Sequence, residues 1–207
     1  MCVIINRAEI KSQAKAALSA QYGNVLGMNI LYAVIVAILS SVTAGIAGLI
    51  LMGPLTATLS WGMLCFFRGN PCSISEAFSR GFDNVGRKIG GYLWMELWIF
   101  LWSLLFFIPG IVKSFSYAMT PYILADMPDI TAGDALKLSM RMMDGHKGEL
   151  FVLYLSFIGW ALLSALTFGL LALLYVNPYT QLTFAGFYDR VKEDAIRRGI
   201  LVQTPDF

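Results

Sequence analysis

The chain has 207 residues, 57% of them hydrophobic and 14% charged, whereas soluble domains carry about 25% charged residues. A soluble core of this size cannot enclose so much apolar surface, so an ordinary soluble globular domain is excluded and lipid is expected to solvate much of the chain. The net charge of +2 excludes nothing by itself, but where the charges fall bears on topology.

Residues Met1–Arg7 are too short and wrongly ordered for a cleaved signal peptide. Asn6 with Glu9 forms a helix-capping signal, and Ile10, Ala14, Ala17 and Leu18 then recur at helical spacing. This predicts an amphipathic helix in the headgroup region. Its alanine-rich stripe is weak, so it is expected to lean on protein as well. Gly23 to Gly27 is read as a corner. The first span follows over 25–43, an uncharged turn at Ala44-Gly45, and a second span over 46–67 that contains Gly53-Pro54. Proline removes a ladder hydrogen bond and clashes with the preceding turn, so a kink is expected there.

The plan then repeats. Ser73 with Glu76 caps a stronger amphipathic segment carrying Ile74, Ala77, Phe78 and Phe82. A glycine-rich corner at 86–91 leads to an apolar run over 92–108, broken by Pro109-Gly110, and a further run over 111–124 that contains Pro121 and ends at Asp126. Thr131 with Asp134 opens the third unit, with its corner at Gly145-His146-Lys147-Gly148. Spans five and six are expected over 150–166 and 170–188, the last carrying Asn177-Pro178, before a polar helical extension. Pro54, Pro109, Pro121 and Pro178 are the expected helix-breaking positions.

The caps lie 67 and 58 residues apart, a spacing that points to structural repetition. The alternative is that any hairpin entering from one face needs a cap, a corner and a break. Fourteen of the fifteen Lys and Arg residues fall before span 1, between spans 2 and 3, between spans 4 and 5, or after span 6; Lys113 is the exception. By the positive-inside rule both termini and all three amphipathic helices face the cytoplasm. Repeats entering from one side are parallel, which lowers the weight of an alternating-access transporter built on inverted repeats.

Three residues are candidates for function. Glu96 is an ionisable group within an apolar run, which by default marks a functional site. The alternative is a shallow carboxylate meeting Arg87, Lys88 or a helix end. Lys113 lies just past Pro109-Gly110, near the expected outer surface, where a long side chain can snorkel to water. A Glu96–Lys113 pair is not expected, because the two enter from opposite faces. His146, the sole histidine, is read as a surface corner residue. Asn29, Asn177 and Gln181 are polar groups within spans, suited to hydrogen bonds between helices. Cys2, Cys65 and Cys72 have no metal-like spacing, so neither a disulfide nor a metal or other cofactor is expected. There is no Gly-x-Ser-x-Gly elbow, His-Glu-x-x-His helix, phosphate-cradling loop or nucleic-acid motif.

Phe107–Met119, Tyr122–Asp126, Ser139–Gly148 and Leu153–Trp160 together resemble the family called domain of unknown function 975, over nearly the whole chain and most specifically over 109–160. The resemblance implies a multi-pass protein of the bacterial plasma membrane and brings no catalytic or ligand-binding residues. The layout is also distantly similar to the membrane portion of some glycerophosphodiester phosphodiesterases, whose soluble catalytic domain has no counterpart here.

The expected fold is all-α, a single membrane domain over 1–207. Six transmembrane helices form three hairpins, each preceded by an amphipathic interfacial helix, in units 6–69, 73–126 and 131–198. The expected function is a non-catalytic module that binds lipid or another membrane protein, with anionic headgroups attracted to its cytoplasmic face. The rival is a small transporter or channel with Glu96 in a polar cavity; a membrane-embedded enzyme ranks third.

Overall fold

A computed structural model describes residues 6–42, 46–70, 72–105, 107–167 and 169–201. Among these the fold is all-α, with no strand. The helices are α1 (Arg7–Ala20), α2 (Tyr22–Val42), α3 (Ile46–Phe67), α4 (Ile74–Phe82), α5 (Val85–Leu105), α6 (Phe107–Tyr117), α7 (Thr120–Asp126), α8 (Ala132–Met142), α9 (Lys147–Leu155), α10 (Ile158–Leu166) and α11 (Asn177–Arg197), with a π-helical turn, Ala172–Val176, leading into α11. The expected turn at Ala44-Gly45, together with Cys2 and Pro71, lies outside the described residues.

Local chemistry sets the three short helices. The side chains of Asn6, Ser73 and Thr131 accept from the amides of Glu9, Glu76 and Asp134 at 3.4, 3.1 and 3.2 Å. Each satisfies one of the amides that a helix start leaves without a partner. Thr131 also donates to the Asp134 carboxylate at 2.7 Å. Thr131→Ala is expected to destabilise by about 1 kcal/mol, read as a shift in the thermal midpoint in detergent; an unchanged midpoint would show that α8 is held by packing alone.

The apolar stripes of these helices face protein. Ile10, Ala14 and Leu18 of α1 are buried, with α1 packed along α11. Ala77 and Gly81 seat α4 on α3, and Ala135, Leu136, Ser139 and Met142 seat α8, chiefly on α5. Only α4 turns a large apolar side chain outward: Phe82, 40% exposed and stacked on Phe78.

Two of the three expected corners are displaced. Gly23 and Gly27 lie inside α2, and Gly86, Gly90 and Gly91 inside α5. The chain turns instead at Gln21 and at Asp83-Asn84, where Asn84 takes a φ of 48°, a conformation asparagine tolerates better than most residues. At the third corner Gly145 has a φ of 89°, as a glycine turn requires.

The prolines act differently from one another. α3 runs through Pro54. Pro109 sits in the first turn of α6, where its missing N–H forfeits no helical bond. Pro121 opens α7 just past a break at Ala118-Met119. Pro178 opens α11 and cannot donate to the carbonyl of Leu174; the hydroxyl of Tyr22 does so at 3.0 Å. A further break, at Ser156-Phe157 between α9 and α10, involves no proline.

Two stretches are long and apolar enough to cross a membrane: Tyr22–Leu39, and Lys147–Leu166 through α9 and α10. Only 17% and 22% of their respective windows are buried, whereas the core helix of a soluble protein is mostly enclosed. Leu51–Phe67 is a shorter apolar stretch. α6 has 11 residues, or about 16 Å at 1.5 Å per residue, and the chain continues in a separate short helix, α7. α3 is the central element, packed against α1, α2, α4, α5, α7 and α11.

Candidate functional site

The ends of α3 and α7 meet the middle of α11 in one ionic junction. α3 stops at Gly69, whose φ of 75° lets the amides of Gly69 and Asn70 bond back to the carbonyls of Phe66 and Cys65. The Arg68 guanidinium lies 2.6 Å from Asp189 and 2.9 Å from Asp126. The other oxygen of Asp126 takes the Lys192 ammonium at 2.5 Å and a hydrogen bond from the Tyr188 hydroxyl at 2.9 Å. Tyr188 stacks on Tyr122 of α7, with centroids 5.6 Å apart.

The Asp126 side chain is only 6% exposed. Burial works against its charge, but Arg68 and Lys192 outweigh it and hold the carboxyl below the ordinary range. Burial has the upper hand at Asp189, which is pushed up although Arg68 opposes the shift. Burial likewise disfavours the Arg68 charge, but Asp189 and Asp126 more than compensate and raise it. The result is a fixed array of charges that ties three helices together. Sequence reasoning missed it, although a signal was present: Arg68 and Asp126 each stand five residues before a cap, Ser73 and Thr131.

His146 corrects an expectation. It is fully buried, not at the surface. Its Nδ1 lies 2.8 Å from Glu149 and its Nε2 lies 3.0 Å from Asp194 of α11. Ionised carboxylates only accept, so both contacts are satisfied together when both ring nitrogens carry protons. The Arg198 guanidinium lies 2.7 Å from Asp194 and donates to the carbonyls of Met142 and Asp144. The glycine corner at 145 turns the ring inward because α11 supplies its partner, and that partner is 48 residues away.

Several cations expected to face headgroups are also turned inward. Arg87 donates to the carbonyls of Leu124, Met127 and Ile130, at the end of α7. Lys88 is buried and donates to Arg80 and Asp83 at the end of α4. Both complement the partial negative charge of a helix C-terminus. Arg7, Lys15, Arg141 and Arg197 remain exposed.

Glu96 is half-buried and interacts with Tyr92, one turn earlier in α5. No ion pair joins it to Lys113 among the described residues. Lys113 is half-buried too. Its ammonium lies 5.2 Å from the Trp102 ring, 5.8 Å from the Tyr117 ring and 3.8 Å from the sulfur of Met140 in α8. It therefore lies against aromatic rings and beside a helix that was expected at the opposite surface. Asn29 donates to Val25 in its own helix and so does not bridge helices. Cys65 and Cys72 are free thiols, and no group of metal-ligating side chains forms among the described residues.

A cavity of about 370 Å³ opens between α5, α6, α7 and α9. Met95 and Ile99 line it from α5, Ser114, Phe115, Tyr117 and Ala118 from α6 and its end, Pro121 from α7 and Tyr154 from α9. The lining is mostly apolar and does not include Glu96.

Residues 106–195 match the family model described as protein of unknown function DUF975. This stretch is similar to that family. The match is narrower than the resemblance over nearly the whole chain read from the sequence. No curated protein and no solved structure matches. The matched segment supplies Asp126, Tyr188, Asp189 and Lys192 to the ionic junction, and all of the cavity except Met95 and Ile99; Arg68 comes from outside it.

Proposed function

We propose that this is an integral membrane protein that binds lipid without catalysing a reaction, and that the α5–α6–α7–α9 cavity holds an acyl chain. The apolar lining of that cavity carries the reading. Supporting it are bare apolar side chains: Phe100 and Leu104 of α5, Ile111 and Val112 of α6, and Leu162 and Leu166 of α10 stand exposed. Exposed apolar surface on this scale belongs against lipid or protein. The ionic junction then sits at the polar ends of the helices, and three hairpins entering from one charged side remain the proposed topology. Transport through Glu96 receives no support from the cavity, which is apolar and lined by other residues of α5.

The test is mass spectrometry of the protein purified in mild detergent. Wild type should retain phospholipid. Ala118→Phe, which fills the cavity, should lose most of it while keeping its helical circular dichroism; Ala118→Leu is the milder variant. Retention at the wild-type level in both variants would remove the cavity from the reading.

A further inference from the structure

We infer that the cavity is selective for anionic phospholipid, and that Lys113 is the residue that reads the headgroup. This rests on the proposed acyl-chain site and adds the class of ligand. Lys113 adjoins that space through the lining residue Tyr117. Tyr117, a lining residue, lies under its ammonium, and so does Trp102, which continues the face of α5 that presents Met95 and Ile99.

The surroundings of this ammonium differ from those of the cations in ion pairs and at helix ends; Lys11 also lies over a ring, that of Phe157, but donates to the Ser156 hydroxyl. Arg68, Lys192, Arg190 and Arg198 face carboxylates, and Arg87 and Lys88 face helix carbonyls. Lys113 has two aromatic rings and a thioether, and no ion pair among the described residues. Rings and sulfur attract a cation but supply no counter-ion. A half-buried ammonium without an anion is costly beside lipid. A phosphate diester at the mouth of the cavity supplies the missing charge, and its acyl chain enters the apolar space behind. Lys113 lies against Met140 of α8, an interfacial helix in the proposed topology, so a lysine side chain there can meet a headgroup on that side. Ser114, on the cavity wall, spends its proton on the Ile111 carbonyl; the headgroup charge therefore falls to Lys113.

The experiment uses the full chain in nanodiscs of equal phosphatidylglycerol and phosphatidylcholine with matched acyl chains, followed by extraction and native mass spectrometry of retained lipid. Wild type should retain phosphatidylglycerol over phosphatidylcholine by about tenfold. Lys113→Gln should abolish that preference with total retained lipid unchanged, and Lys113→Arg should keep it. An unaltered preference in Lys113→Gln would overturn the assignment while leaving the acyl-chain site standing. Equal loss of both lipids would also overturn it, since Lys113 would then be shaping the cavity and not reading charge. If Ala118→Phe retains lipid at the wild-type level, the cavity reading fails first and this assignment falls with it.

Discussion

Asp126→Ala is expected to lower stability by about 3–5 kcal/mol, the range for removing one partner of a buried ion pair. The loss leaves Lys192 and the Tyr188 hydroxyl facing a gap, and Arg68 with Asp189 alone. Asp126→Asn should lose less, because its amide oxygen still accepts one bond. Denaturant titration in detergent measures both, and a loss under about 1 kcal/mol, the scale of an exposed pair, would show that the junction holds little together.

The same carboxylate sets an acid limb. Its value in the folded protein lies below the ordinary one, because Arg68 and Lys192 overcome the opposing effect of burial. Its stabilisation is therefore complete above the ordinary Asp value of about 3.9 and is lost as pH falls through the lower folded value. Asp189 has the opposite sign. Burial raises it, so its contribution is largest at low pH and fades as pH rises through the raised value. On acidification Asp189 takes its proton first, with a gain in stability, and Asp126 follows with a steep loss. Asp126→Asn should lack that steep step.

Gly81→Ala should destabilise by about 3 kcal/mol, the upper end of ordinary overpacking. A Cβ on Gly81 would stand 1.6 Å from the Thr58 hydroxyl oxygen, 2.6 Å from its Cβ and 2.9 Å from its Cα. The hydroxyl can rotate only by giving up its bond to the Pro54 carbonyl, and the Cα cannot move without α3. α4 must therefore lift off the central helix. Gly86→Ala is the matched control: its Cβ would meet nothing within 4 Å inside α5, and it should stabilise by a few tenths to about 1 kcal/mol through helix propensity. Equal effects at the two positions would show that α3 and α4 are not tightly joined.

The caps were readable because donor and acceptor lie three residues apart, a distance the chain itself determines. The corner glycines were misread for a related reason. A glycine signals that a side chain is unwelcome, but not whether a turn or a neighbouring helix excludes it. Gly91 sits inside α5, where a Cβ would come within 2.7 Å of Leu124. The break at Ser156-Phe157 had no proline to announce it. Phe157 is buried against Tyr179, and Lys11 of α1 donates to Ser156 at 2.6 Å, so partners far along the chain occupy that site. His146 looked like a surface residue because its neighbours are glycine and lysine, and nothing nearby foretells Asp194.

The sequence by itself determined that the chain is helical, that apolar runs dominate it and that three capped segments punctuate it. These follow from short-range hydrogen bonding and from the balance of apolar and charged side chains. Tertiary structure alone decided which cations serve the protein's own carbonyls and carboxylates, where helices break without proline, and where a cavity remains. Each depends on groups tens of residues apart arriving at the same place, and a one-dimensional pattern carries the residue types but not their distances.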